Sequence, residues 1–186
     1  MCEENVQKTC AFDICYKCNR WCCQDAKPPL TPNRKKIISE YLQKQKTQIA
    51  HPFTDADYSF PTLDAYGFCI FYNKDTKKCT VHVVKPETCR AGPITFDINR
   101  RTRKIEWYLK KAEICAYAGL LHKNKTALKE HFEVAKKELL RLITELDAKA
   151  LEAILKIEEP ETFKIGEDDL PTDVAAKLKI NEQNKP

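Results

Sequence analysis

The chain has 186 residues, of which 32 are basic and 27 acidic, for a formal net charge of +5. This length allows one domain with an appendage and a modest hydrophobic core. No run of residues approaches the roughly 18 apolar residues of a membrane span, and the N-terminal residues lack the apolar stretch of a secretory signal. We therefore expect a cytoplasmic protein that does not insert into membranes.

The two parts of the chain differ in charge. Residues 1–125 carry 22 Lys and Arg against 13 Asp and Glu, whereas residues 126–186 carry 10 against 14. A basic half is typical of nucleic-acid binding. Thiolates bound to a metal cluster are anionic, however, and would neutralise several of these positive charges. The basic excess therefore favours nucleic acid only weakly.

The first part of the chain predicts a metal-wrapped loop and then a helix. Residues 10–25 are too dense in cysteine for ordinary secondary structure. Thr31 followed by Pro32 is a typical helix start, with Thr as the N-cap, and this helix is predicted to run to about Gln45. Residues 50–67 are predicted to be irregular.

Two β-hairpins are predicted in the middle of the chain. The β-rich segments 68–72 and 79–84 flank one polar turn, and the segments 93–98 and 104–109 flank another.

Two short helical segments are predicted to carry cysteines. Residues 85–90 resemble a helical turn that presents Cys89, and a small helix around residues 111–118 carries Cys115. Gly119 is placed to end that second helix.

Residues 125–158 give the strongest helical signal, because apolar residues repeat there at intervals of three and four. Asp147 marks a break in this pattern. Beyond Pro160 the chain is acidic and weakly apolar, with one short helix predicted over residues 171–178. This segment is either a surface tail or a segment that folds on a partner.

These elements predict an α+β fold. A small cysteine-rich, metal-bound domain with two short β-hairpins and a few helices is followed by a long amphipathic C-terminal helix and a tail. The predicted units are residues 1–119, 120–159 and 160–186. We expect the helix and the tail to dock on a larger protein complex.

Eight of the ten cysteines form one pattern that supplies two four-ligand metal sites. They are Cys15, Cys18, Cys22, Cys23, Cys69, Cys79, Cys89 and Cys115. Soft thiolates select zinc, Cu(I) or iron–sulfur clusters, and a four-sulfur set indicates zinc or iron–sulfur. Without a secretory signal, clustered cysteines are metal ligands more often than disulfides.

The spacing within the loop predicts how these ligands are shared. The two-residue gap between Cys15 and Cys18 lets one turn of backbone deliver two sulfurs to one metal. The adjacent residues Cys22 and Cys23 point to opposite sides of an extended backbone, which predicts two neighbouring centres. Because the other ligands are distant in sequence, metal binding and folding are expected to be coupled.

The later cysteines lie in a segment with a recognisable pattern, made of Cys69-Ile-Phe-Tyr, Cys79-Thr-Val-His and Lys85-Pro-Glu-Thr-Cys-Arg-Ala-Gly-Pro. This segment resembles the YkgJ-type family of zinc- or iron-chelating proteins. The family also has a C-x2-C-x2-C-C loop ahead of it, followed by a helix. Here the loop has one extra residue before Cys22.

The resemblance covers about residues 12–118 and leaves Cys2 and Cys10 outside as spare thiols. Flagellin lysine methylases are similar in the cysteine domain and act as enzymes. The rest of this chain is too short for a separate methyl-donor domain.

The choice between zinc and iron–sulfur is open on spacing alone. Structural zinc sites commonly include histidine, but His82 is predicted on a strand in a structural role, and His51, His122 and His131 lack ligand spacing. The spacing also differs from that of bacterial ferredoxins. The all-cysteine count and the basic surroundings favour two [4Fe–4S] clusters, with Zn²⁺ as the alternative.

No catalytic motif is found, so we expect a protein that is not an enzyme. The favoured function is an iron–sulfur accessory protein that docks on a larger enzyme complex and transfers electrons or senses oxygen. Oxygen sensing suits an anaerobic host such as a methanogenic archaeon. The alternative is a zinc-stabilised interaction module.

A third hypothesis is nucleic-acid binding through the second hairpin. The residues concerned are Arg100, Arg101, Arg103, Lys104, Trp107 and Tyr108. A solvated turn beside a strand packed on the core explains the same residues, and we favour that explanation.

Overall fold

The computed structural model of the chain describes residues 14–15, 22–159 and 161–180. The helices of this part are α1 (Pro32–Lys44), α2 (Glu87–Ala91), α3 (Ala116–Lys123), α4 (Lys125–Glu145), α5 (Ala148–Ile154) and α6 (Thr172–Lys177). The strands are β1 (Phe53–Asp55), β2 (Ser59–Pro61), β3 (Tyr72–Asn73), β4 (Lys78–Cys79), β5 (Ile94–Asn99), β6 (Lys104–Lys110) and β7 (Thr162–Asp169). No helix among these is long and apolar enough to span a membrane. The fold is a mixture of helices and small antiparallel sheets.

The largest sheet has the antiparallel strand order β5-β6-β7. Strands β5 and β6 form the predicted second hairpin, with Ile94 opposite Leu109, and this prediction is confirmed. Alternate residues of β6 point into the core, since Ile105, Trp107 and Leu109 are fully buried while the residues between them are partly exposed.

Helices α3 to α6 pack with this sheet to form the sheet core. Their buried members are Ala118, Leu121, Ala135, Leu139, Leu142, Ile143, Leu146, Ala150, Leu151, Val174, Ala175 and Leu178. Helix α4 begins after Asn124, whose side chain accepts a hydrogen bond from the Ala127 amide at 3.0 Å. Asp147 caps α5 by accepting a hydrogen bond from the Ala150 amide at 2.8 Å. The helical pattern over residues 125–158 is therefore divided at Asp147 into the two helices α4 and α5, and β7 and α6 follow them.

The interpretation of residues 160–186 as a tail is wrong for residues 162–180. Strand β7 pairs with β6, and Val174 of α6 is fully buried in the sheet core. The acidic residues of β7 have structural partners, because Asp168 accepts a hydrogen bond from Trp107 Nε1 at 2.6 Å. Edge strands often carry charged side chains. Because β7 does so, its sequence is acidic and weakly apolar, and for that reason it was predicted to be a tail. The first and third of the predicted units therefore share one sheet.

A smaller core lies beneath the cysteine-bearing segments, and we call it the hairpin core. Its buried members are Leu30, Ile38, Leu42, Phe71 and Val81. Helix α1 supplies two of them and starts as predicted, because the Thr31 side chain accepts a hydrogen bond from the Arg34 amide at 3.1 Å. The partly buried thiols Cys69 and Cys79 pack against this core.

Two regions near the hairpin core differ from prediction. Residues 50–67 are not irregular throughout, since β1 and β2 form a small hairpin there. The predicted first hairpin is much shorter than expected, with two residues in each of β3 and β4. His82 was predicted on a strand, but His82–Val84 is a 3-10 turn. The chain turns there because Val81 is buried in the hairpin core and its carbonyl accepts a hydrogen bond from the Val84 amide.

The helix predicted to carry Cys115 is also displaced. Cys115 occupies the N-cap position of α3, which continues to Lys123. Gly119 lies inside this helix and does not end it. A Cβ at Gly119 would lie 2.9 Å from the Cβ of Ala112, so close packing explains the glycine there.

Candidate metal centre

The end of the cysteine loop is joined to the segment before Cys69 by backbone hydrogen bonds. The Cys69 amide donates to the Cys23 carbonyl at 2.8 Å, and the Asp25 amide donates to the Gly67 carbonyl at 2.7 Å. Gly67 has a φ of +79°, and a Cβ there would collide with the Asp25 carboxylate. Glycine at this position thus allows the two segments to approach each other and places Cys23 beside Cys69.

The hairpin of β3 and β4 brings Cys69 and Cys79 together. Tyr72 lies opposite Cys79 in the register of the two strands, and the Tyr72 amide donates to the Cys69 carbonyl at 2.8 Å. The Thr80 amide donates to the carbonyl of Phe71, whose side chain is fully buried. These contacts fix both cysteines on one side of the hairpin core.

Cys89 reaches the same region from helix α2. This helix has only five residues, and the Arg90 amide donates to the Pro86 carbonyl at 2.9 Å in its single turn. The Cys89 side chain is exposed at the surface, but the protein packed around its thiol raises its pKa by desolvation, and the negative charges of Cys69, Cys79 and Cys22 raise it further. Cys89 is therefore an electrostatic neighbour of cysteines from the loop and from the hairpin.

The pKa values of Cys22 and Cys23 are shifted in opposite directions. A hydrogen bond from the Cys23 thiol lowers the pKa of Cys22 to about 6, and the positive charges of Lys85 and Lys110 act in the same direction. The same hydrogen bond, together with burial, raises the pKa of Cys23. Cys22 is thus the thiol that ionises first.

The hairpin thiols are less easily ionised. Desolvation raises the pKa of Cys69 to about 11 and also raises the pKa of Cys79. A metal cation would stabilise these thiolates, and its binding would release the protons that the thiols carry at neutral pH.

Five of the eight predicted ligands are thus brought together, and we call them the five-thiol cluster. They are Cys22, Cys23, Cys69, Cys79 and Cys89. Cys115 packs instead against the sheet core, and Cys15 is exposed in the described pair of residues 14–15. Cys18 and the two spare thiols, Cys2 and Cys10, lie outside the described residues.

The five-thiol cluster has the sulfur donors that a soft metal prefers, but as a group these thiols lie farther apart than the ligands of a bound metal ion. In the part of the chain that the structure describes, no three Cys, His, Asp or Glu side chains converge closely enough to hold a metal ion. The sharing of eight ligands between two sites stays a prediction. Thiolate sulfurs are the donors that zinc and iron–sulfur clusters prefer, so the residues present fit either group.

A buried ionic network beside the cluster was missed in the sequence analysis. Arg34 Nε lies 2.8 Å from Glu87 Oε1, and the second guanidinium nitrogen of Arg34 lies 3.0 Å from Glu138 Oε2. The three residues are 4 %, 1 % and 5 % exposed. Glu87 belongs to the quoted segment around Cys89, but its ionic character gave no sign of burial, and Arg34 and Glu138 lie far away in sequence.

Three of the six residues considered for nucleic-acid binding have partners or are buried within the fold. Trp107 is fully buried, Arg100 pairs with Glu152 at 2.6 Å and Lys104 pairs with Asp169 at 2.7 Å. A hairpin packed on the core accounts for these three side chains.

A comparison with protein families gives a match over more than half of the chain. The model of the CxxCxxCC family, described as a "putative zinc- or iron-chelating domain", matches residues 14–116. All eight predicted ligands lie within this range, and Cys2 and Cys10 lie outside it. No curated protein and no solved structure matches the chain significantly.

Proposed function

The chain belongs to the CxxCxxCC family of zinc- or iron-chelating domains, and from this premise we propose that it is an iron–sulfur accessory protein of a larger complex. The observation that carries this proposal is the five-thiol cluster, which gathers thiols from three separate segments: the loop, the β3–β4 hairpin and helix α2. Thiols gathered from distant segments are typical of a metal-binding function.

The surroundings of the cluster support iron–sulfur over zinc. The identified donors are all thiols, whereas structural zinc sites often include histidine. His131 is engaged elsewhere, since its Nε2 lies 3.0 Å from the Ala91 carbonyl oxygen. Lys85 and Lys110 are close enough to Cys22 to lower its pKa, and fixed positive charges stabilise an anionic thiolate-ligated cluster.

We propose two [4Fe–4S] clusters, in which Cys15, Cys18 and Cys115 complete the ligand sets on loading. Ligands that assemble only when the metal binds are common in metal sites that are coupled to folding. The role of the clusters is electron transfer or oxygen sensing, without catalysis by this chain. The docking surface that we propose is the solvent-facing side of α4, where Val134 is 47 % exposed.

The experiment is purification without oxygen, followed by a visible spectrum and a count of iron, zinc and acid-labile sulfide. Two clusters predict about eight irons and eight sulfides per chain, and one cluster predicts about four of each. A colourless protein that holds zinc and no sulfide contradicts the proposal. Bleaching in air with loss of partner binding favours oxygen sensing, and reversible reduction without such loss favours electron transfer.

A zinc-stabilised interaction module is the second candidate. The observation that favours it is that five thiols gather in one place, because a tetrahedral zinc site uses four ligands. This candidate predicts one zinc per chain and no sulfide in the same experiment.

A further inference from the structure

Helix α2, which carries Cys89, is too short to be stable alone. It has five residues, and within the described residues no side chain caps its N-terminus. Isolated helices of fewer than about 12 residues are marginal in water. The position of Cys89 must therefore be set by contacts between α2 and other elements.

Those contacts come from helices α1 and α4. Arg34 of α1 forms an ion pair of 2.8 Å with Glu87 at the start of α2. Glu138 of α4 lies 3.0 Å from Nε of Arg90, the residue after Cys89, as an ion pair without a hydrogen bond, and Ala91 of α2 is fully buried in the sheet core. Each flank of Cys89 is thus held by a charged residue from a different helix.

Arg34 joins the two attachments into one network. Its guanidinium contacts Glu87 on α2 and Glu138 on α4 at the same time, at 2.8 and 3.0 Å. Its own helix begins shortly after the cysteine loop, and the Leu30 amide just ahead of it is fixed by donating to the Ser59 carbonyl at 2.8 Å. Arg34 therefore connects the segment that follows the loop to the segment that carries Cys89.

Stability alone is a weak explanation for such a network. Buried ion pairs are often no more stabilising than apolar residues of similar volume. This network is also incompletely satisfied, since Glu87 Oε2 has no hydrogen-bond partner among the described residues. A planar guanidinium that bridges two carboxylates does, however, fix distances and angles in a way that apolar contacts do not.

We propose that Arg34 is a positioning residue for the metal centre, which through Glu87 and Glu138 keeps Cys89 beside the loop cysteines, so that only a small movement is needed to bring these thiols onto a metal. This inference rests on the proposed metal-binding function. Residues that orient metal ligands typically contribute about 10- to 100-fold to metal affinity.

The test compares full-length variants for Zn²⁺ affinity by competition with a chromophoric chelator under reducing, oxygen-free conditions. For Arg34→Met we expect the dissociation constant for Zn²⁺ to rise about 10- to 100-fold. Arg34→Lys keeps the positive charge but lacks the planar guanidinium that bridges Glu87 and Glu138. The affinity of this variant for Zn²⁺ is therefore expected to lie between those of Arg34→Met and the wild type. The matched control is Lys35→Met, because Lys35 is the next residue of the same helix and pairs with the exposed Asp55.

A second measurement uses the metal-free chain and does not depend on metal binding. The rate of deuterium labelling of the α2 amides, among them that of Arg90, which donates to the Pro86 carbonyl, is followed by mass spectrometry relative to β6. Loss of the network frees α2 to move, so we expect labelling of α2 to accelerate several-fold in Arg34→Met and to stay unchanged in Lys35→Met. If Arg34→Met does not fold, Glu87→Gln replaces it, since this change keeps the shape of the side chain and removes its charge.

The outcomes separate the two proposals. A wild-type chain that binds neither iron–sulfur nor zinc contradicts the proposed function, while the labelling rates still test the positioning of Cys89. A lower melting temperature in Arg34→Met with wild-type Zn²⁺ affinity and wild-type labelling shows a merely structural network and overturns the inference. Unchanged stability, affinity and labelling overturn it as well.

Discussion

The sheet core and the hairpin core differ greatly in size. Among the residues that the structure describes, the sheet core has 19 buried members, whereas the hairpin core has five. The strands differ in the same way, since β5, β6 and β7 have six to eight residues and β3 and β4 have two each. One part of the molecule has an ordinary hydrophobic core, and the other gathers cysteines around a minimal one.

This difference indicates that the two parts are stabilised by different means. Small structures that cannot bury enough apolar surface usually need a metal or disulfides. The five-thiol cluster lies on the small core, where a metal would contribute most to stability. We therefore expect the sheet core to be stable without metal and the hairpin core to be only marginally stable without it.

Removal of the metal is expected to have the largest effect. In the metal-free chain we expect the hairpin core to fold but to open often, so amide exchange should become faster over residues 22–85 and stay slow in β5, β6 and α4. The free energy of binding a structural metal is on the order of 10 kcal/mol, which is comparable to what the burial of five apolar side chains supplies. Hydrogen exchange with mass spectrometry checks this, and uniform protection in the metal-free chain would contradict the division into two parts.

A cavity in the sheet core is expected to have the next largest effect. Leu142 is fully buried in this core, so Leu142→Ala should lower the free energy of unfolding by about 2–5 kcal/mol. Because the sheet core does not depend on metal, the loss should be the same with and without metal. Urea unfolding measures it, with Val134→Ala as the control because Val134 lies on the same helix and is 47 % exposed.

The same comparison explains which parts of the fold could be predicted from sequence. Two β-rich segments on either side of a polar turn identified β5 and β6, and Thr31 with Pro32 identified the start of α1, because these signals are local. Strand β7 was missed because its charged residues pair across the sheet with Trp107 and Lys104. A local pattern carries no information about such distant partners.

The candidate site shows the same limit. Cysteine spacing identified all five members of the five-thiol cluster, because thiols are rare and their chemistry is specific. It could not separate these five from Cys115, which packs against the sheet core. Arg34 and Glu138 were missed because charged residues are usually exposed, and their burial arises only when α1, α2 and α4 meet.

The ionisation of Cys22 gives a pH-dependent prediction for the metal-free chain. The hydrogen bond from Cys23 lowers the pKa of Cys22 to about 6, so Cys22 should be the first thiol alkylated at pH 7, ahead of Cys69, whose pKa burial raises to about 11. Iodoacetamide labelling followed by mass spectrometry measures this order.

The effect on stability has a defined sign. Because the pKa of Cys22 is lower in the folded chain, its ionisation stabilises the fold above the ordinary thiol pKa, and this contribution is lost as the pH falls through about 6. For Cys69 the direction is opposite, since its contribution is present below the ordinary pKa and is lost as the pH rises through about 11. Equal labelling rates for the two thiols at pH 7 would contradict both assignments.

The smallest effect is expected at the contact that attaches α6 to α4. Lys177 Nζ donates hydrogen bonds to the carbonyls of Ile143 and Thr144 at 3.0 and 2.7 Å, at the end of α4 where the helix dipole favours a positive charge. Lys177→Met should lower the free energy of unfolding by about 1 kcal/mol. Lys149→Met is the control, because Lys149 pairs with Asp57 and both side chains are 73 % exposed. Since Lys177 belongs to the sheet core, its loss should leave metal affinity unchanged, and a change in metal affinity would show that the two parts of the molecule are more tightly coupled than their cores indicate.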